Sequence, residues 1–183
     1  MQKQPLNLSL KNCVTNSYQN VTGVLDYLSH SIPQLFLRLI LAWEFGKAGF
    51  EKLHGTNWFA DIVFPFPFNL LPPDASWAMA TYVEIFGAAA LAFGLATRFF
   101  SISLIILTIV AITAVHRPTE WNSLSDLAMG FRIVDEANDG FGNYELPLLF
   151  IIMLLPLLFG GAGRLSLDYL FKHKCFSHNL PSS

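Results

Sequence analysis

Glu44, Lys47 and Glu51 stand on one stripe of an otherwise apolar stretch, LFLRLILAWEFGKAGFEKLHG, which runs from Leu35 to Gly55. At about 100° per residue the three fall within about 60° of one another, and Lys47 can meet both acids, at i−3 and i+4. A further acid, Glu84, interrupts a second apolar stretch, SWAMATYVEIFGAAALAFGLA, among Ala80, Thr81, Gly87 and Ala88. Small residues on that face let neighbouring helices come close, so Glu84 is expected to point into a bundle. His116 closes a third stretch, at the level of Glu51, Lys52 and His54 if it lies some 26 Å beyond Arg98 at ~1.5 Å per residue. Such residues in apolar surroundings form a polar recess. They can bind a small molecule or a quinone headgroup, take up a proton, or hold a metal.

Charges at the middle of a membrane span cost on the order of 2.5–3.5 kcal/mol each, so Glu44, Lys47 and Glu84 would together cost roughly 7–10 kcal/mol if left unpaired. The expected minimum is one deep ion pair, with a remaining carboxylate that is hydrated or neutralised. Arg38 stands at one end of its helix, where a long side chain can snorkel to the interface. Ionisable residues inside a span favour a functional reading. The competing reading is a buried ion-pair network that only fixes helix register.

The elements that must carry these residues follow from composition. Of 183 residues, 53% are hydrophobic and only 13% charged, against about 25% charged in soluble domains. The apolar residues gather in four blocks, 34–53, 76–95, 99–116 and 145–162, each near the ~20 residues that cross a hydrocarbon core. The expected fold is an all-α, four-helix transmembrane bundle spanning residues 34–163. A polar tail with a short amphipathic segment (1–33) precedes it, and an amphipathic tail (164–183) follows. The first thirty residues hold no compact apolar core of a signal peptide, so no cleavage is expected.

Orientation follows from Lys and Arg. Lys3, Lys11, Arg98, Arg164, Lys172 and Lys174 fall on one side, whereas the two long loops on the other hold only Arg117 and Arg132 among many acids. Both termini should therefore be cytoplasmic, in a multi-pass protein of the inner membrane, with Trp58, Trp77 and Trp121 near the opposite interface. The first loop, GTNWFADIVFPFPFNLLPPDAS, should form a short interfacial helix and an extended Pro-Phe segment across the bundle mouth. In the second loop, 122–131 could be a surface helix. Pro156 should kink the fourth helix, and Asp168 can pair with Lys172 in the tail helix.

Other chemistries find less support. Cys13 and Cys175 form no C-x-x-C, which argues against a thiol relay. A net charge of −2 suggests no nucleic-acid partner. His54, His116 and Glu51 lack a metal-ligand spacing. DEANDG, from Asp135, lacks the third and twelfth ligands of a calcium loop, and His173, Cys175 and His178 form only a loose group. No metal site and no catalytic residue is assigned.

The motifs resemble a known family. LRLILAWEFGKAGFEKL, with Arg38, Gly49 and Lys52, is similar to the first helix of DoxX-type membrane proteins. Glu84 in a Gly/Ala-rich helix, Gly94 and Arg98, and the closing GGAGRLSLDYL with Gly163, Arg164, Ser166 and Asp168 fit as well, over residues 34–172. TIVAITAVH ending at His116, GNY at 142–144 and the fourth-helix ending are similar to the HvfX-like branch. The resemblance implies a four-helix inner-membrane protein. The family's founding member is associated with quinol oxidase and thiosulfate:quinone oxidoreductase; the branch is linked to maturation of copper-binding modified peptides.

The expectation is therefore an accessory membrane component of a redox or copper-handling pathway. Its polar pocket of Glu44, Lys47, Glu51, Glu84 and His116 would take quinone or a peptide partner. Soluble maturation enzymes, the modified peptide and the lipid bilayer are the expected partners. If it serves an oxidoreductase, it does so as a non-catalytic subunit. The alternatives are a small transporter or exporter, although no helix broken at mid-depth supports that plan, and a scaffold without chemistry.

Overall fold

A computed structural model describes residues 6–29, 31–116 and 144–177. Among these residues the chain is all helical: α1 (Leu6–Ser29), α2 (Ile32–His54), α3 (Pro73–Phe93), α4 (Thr97–Ala114), α5 (Glu145–Gly160) and α6 (Leu167–Ser177). Two of them, α3 and α4, are long and apolar enough to cross a membrane, and α5 is a shorter apolar helix. In α2 the hydropathy is diluted by Arg38, Glu44, Lys47, Glu51 and Lys52. The expected surface helix at 122–131, Trp121, Asp135 and Asp139 lie outside the described residues, as does His178.

Leu41, Phe45, Leu91, Leu104, Leu154 and Leu157 form the core where α2 to α5 meet, and Phe45 meets Phe150 at 5.4 Å between ring centres. Glycine sets how closely the helices approach. A methyl group on Gly49 would lie 3.1 Å from both Glu84 Cβ and Ile85 N, and one on Gly46 would lie 3.5 Å from Ala88 Cβ. These contacts place Gly49 level with Glu84 and Ile85 on the antiparallel α3. One on Gly87 would press on the Leu104 side chain from 3.1 Å, which aligns α3 with α4. Pro156 lies inside α5, which continues to Gly160.

The α3–α4 turn is tied to the C-terminal segment. Gly94 ends α3 in the left-handed conformation (φ 66°), and the Leu95 N–H reaches back to Ala90 O at 2.8 Å. Arg38, fully buried, donates to Leu91 O at 3.4 Å and to Leu165 O at 2.5 Å. Asp168 accepts from the Ala96 and Thr97 N–H groups, at 2.7 and 2.9 Å, and its own N–H donates to Gly94 O at 2.9 Å. Instead of snorkelling, Arg38 bridges a carbonyl at the end of α3 and one in the C-terminal segment. The carboxylate of Asp168, expected on Lys172, caps the start of α4, because two free backbone N–H groups outcompete a solvated lysine.

The N-terminal tail forms a helix of 24 residues, longer than a short segment. Polar Asn, Ser and Thr obscure the three-and-four spacing of Leu10, Val14, Tyr18, Val21, Leu25 and Leu28. Tyr18, Val21, Val24 and Leu25 are exposed. Near its end Tyr27 lies under Arg164 at 5.1 Å.

Loss of the α4 cap in Asp168→Ala should lower stability by about 1–2 kcal/mol, read as an earlier thermal unfolding transition in detergent. Gly94→Ala should cost more, since its Cβ would collide with the Arg38 guanidinium and Ser166 in a left-handed backbone. Wild-type melting of both variants would contradict the lock.

Candidate functional site: a buried ion pair beneath an amphipathic cavity

Glu84 lies about 16 Å from the start of α3 and about 14 Å from its end at ~1.5 Å per residue. Its partner comes from the neighbouring helix. Lys52 is one turn beyond Gly49, and its side chain runs back along α2 to the carboxylate. Its Nζ donates to both Oε1 and Oε2 at 2.9 Å. The Lys52 and Glu84 side chains are 18% and 6% exposed, so the bond is shielded by protein. A carboxylate held by both oxygens is a directed, charge-assisted contact, and it leaves one ammonium hydrogen of Lys52 for another acceptor.

Above this pair opens a cavity of about 720 Å³. Its long walls are α3 and α4, with Met79, Ala80 and Val83 facing Ile106, Leu107 and Val110. Trp58, Phe59, Phe64 and Phe68 of the first loop close over it. Edge-on ring contacts hold two of them: Phe59 meets Trp77 at 5.0 Å, and Trp58 meets Trp77 at 6.0 Å. The expected interfacial helix is reduced to two short 3-10 turns, Phe59–Asp61 and Phe68–Leu70. Asn57 anchors the loop by donating to Asp74 at 2.6 Å and accepting from the Phe59 N–H at 2.9 Å. His116 and Ser76 border the outer part of the recess, and the Ser76 hydroxyl has no protein partner. Ser76 and Glu84 are about 12 Å apart along α3. The cavity therefore suits an elongated molecule with an apolar body and a polar group that meets Lys52–Glu84.

The structure brings Glu84 and His116 to one cavity and leaves Glu44, Lys47 and Glu51 outside it. Lys47 pairs with Glu51 at 3.9 Å on the opposite side of α2, their side chains 62% and 68% exposed. Glu44 is half-buried on that same side. Lys52 thus holds the position expected for Lys47. The periodicity of α2 already carried the signal: Lys52 continues the buried series Arg38, Leu41, Phe45 and Gly49, whereas Lys47 is out of phase with it. Ser76 and the loop aromatics carried no comparable signal. Among the described residues, no group of three or more His, Cys, Asp or Glu is assembled to hold a metal ion.

A helical chain with apolar spans and a buried charge pair is a membrane-type protein, and comparison with known proteins agrees. Residues 34–117 match DoxX. The chain is 41% identical over 147 residues to an uncharacterised protein of Haemophilus influenzae, covering 79% of this chain and 87% of that one. No solved structure matches. The chain belongs to the DoxX family and, as a membrane protein of that family, contacts the lipid bilayer.

Removing one member of a buried pair strands the other, at a typical cost of about 3–5 kcal/mol. Lys52→Met should therefore destabilise the protein strongly in thermal unfolding, and the double variant Lys52→Met, Glu84→Leu should recover most of the loss. A double variant no more stable than Lys52→Met would show that the two charges are not coupled.

Proposed function

We propose that the protein is a four-span protein of the inner membrane, with both termini cytoplasmic, that binds a lipid-soluble molecule of the quinone class in the cavity above Lys52–Glu84. The observation that carries this reading is the cavity itself: apolar walls along α3 and α4, with one buried ion pair at the level where a span crosses mid-membrane. Lipid-soluble redox carriers have this division between apolar body and polar head, and a carbonyl head can accept from a free Lys52 hydrogen. Ionisable residues at such depth favour a ligand or proton role, and pockets with few converging polar groups are the usual form of small-molecule sites.

In this reading α2, α3, α4 and α5 are the spans. Arg98, Arg164, Lys172 and Lys174 lie on the cytoplasmic side, as the positive-inside rule requires. The exposed apolar face of α1 lies along the cytoplasmic surface of the bilayer. The motif run ending at His116 and the GGAGRLSLDYL ending support a place in the HvfX-like branch, and hence an accessory role in redox or copper-handling peptide maturation.

The cavity can be tested through its own fluorophore. In a Trp43→Phe, Trp121→Phe background, which leaves Trp58 and Trp77 as the two tryptophans, a short-chain quinone should quench their fluorescence saturably. Ala80→Phe, which fills the cavity and leaves Lys52 and Glu84 unsubstituted, should abolish the saturable component. Identical, non-saturating quenching in both proteins would mean simple partition into lipid and would sink the proposal.

A further inference from the structure

The outward face of α2 carries charges that the cavity does not use. Phe36, Ile40, Trp43, Lys47, Phe50 and His54 succeed one another at spacings of four, three, four, three and four, and all six are exposed. That alternation is the 3.5-residue period of a and d positions, the seam along which two helices pack side by side. Phe36, Trp43 and Phe50 fall at d, and Ile40, Lys47 and His54 at a. Glu44 and Glu51 flank the seam at e. A lone lysine at an a position is a device that fixes register and the number of strands.

Depth makes this seam a surface that needs a protein partner. The contacts of Gly46 with Ala88 and of Gly49 with Glu84 and Ile85 set α2 against α3. They put Glu51 level with the midpoint of α3 and Lys47 about 6 Å from it at ~1.5 Å per residue. Glu44 lies only about 5 Å from the cytoplasmic end of α3 and reaches the headgroup region. Lys47 and Glu51 do not. Their contact within one chain is long, 3.9 Å, and both side chains face outward, where acyl chains offer them no hydrogen bond.

We infer that a second copy of this chain docks along the α2 seam, in a parallel dimer in which Lys47 of each copy meets Glu51 of the other. The inference rests on the four-span reading, because in water the same stripe needs no cover. Charge complementarity selects the occupant. The mid-depth pair holds one cation and one anion, one helical turn apart. Two copies inserted in the same direction are related by a twofold axis along the membrane normal, and such an interface is self-complementary: each Lys47 finds an acid and each Glu51 a base. The aromatic residues at the three d positions pack against their symmetry mates.

Disulfide cross-linking in native membrane vesicles tests this on the full chain. With Cys13 and Cys175 replaced by serine, Phe36→Cys, Trp43→Cys and Phe50→Cys should give a cross-linked dimer. The yield should be at least tenfold above Tyr82→Cys and Phe99→Cys, whose parent side chains are exposed on α3 and α4. Adding Lys47→Glu to Trp43→Cys should remove the dimer, and adding Glu51→Lys as well should restore it. Equal yields at seam and control positions, or monomer throughout, would overturn the interface. A membrane-impermeant maleimide separates the two readings. Labelling of Phe50→Cys, which lies near the midpoint level of α3, from water would show that α2 does not span and would remove both. Monomer with that thiol protected would remove the dimer alone.

Discussion

A carboxylate at the middle of a helix bundle must have a counter-charge, and in this protein the counter-charge is Lys52. Both Glu84 oxygens accept from one ammonium group, so the contact fixes a direction as well as a distance. It fixes the rotation of α2 as well, because Lys52 and Gly49 must face α3 together. Only a glycine at position 49 lets the two backbones come close enough for the lysine to fold back along its own helix. The cavity is a consequence: Lys52 closes its floor, and the pair supplies its polar end.

The opposite end of the bundle holds that register. Arg38 donates to Leu91 O at the end of α3 and to Leu165 O of the C-terminal segment, and Asp168 accepts from the Ala96 and Thr97 N–H groups of the α3–α4 turn. With α2 and the C-terminal segment both fastened to this turn, α2 cannot slide along α3 without breaking the ties to Leu91 and Leu165. The lock at the α3–α4 turn and the ion pair midway along α3 constrain the same pair of helices from two levels, about 14 Å apart along α3. One face of α2 is thereby committed to the bundle, which leaves the 3.5-residue seam on its back.

Much of this was legible in the sequence. Four apolar blocks carry four of the helices, and the small residues around Glu84 correctly turn it inward. The residues of the resemblance, Arg38, Gly49, Lys52, Gly94, Arg98 and Asp168, lie at helix contacts and turns. The choice of lysine was legible only in helix phase, where Lys52 and not Lys47 continues the series Arg38, Leu41, Phe45 and Gly49. Lys47 looked deeper because it stands nearer the centre of its apolar block, but helix phase, not distance from the block's ends, decides which side chain faces a neighbour. The cavity was hidden for another reason. Its roof comes from a Pro- and Phe-rich loop whose aromatic residues meet residues far away in the chain, and no local period encodes such contacts. In α1, a polar composition masked an apolar stripe that becomes visible only when residues are read at helical spacing.

Solid-state NMR of the protein in lipid bilayers, with lysine ¹⁵Nζ and glutamate ¹³Cδ labels, tests the central pairing directly. The account predicts a dipolar contact between Lys52 and Glu84 that disappears in Lys52→Met. Transfer of the Glu84 signal to Lys47, or a Glu84 carboxyl with no lysine nitrogen beside it, would contradict it.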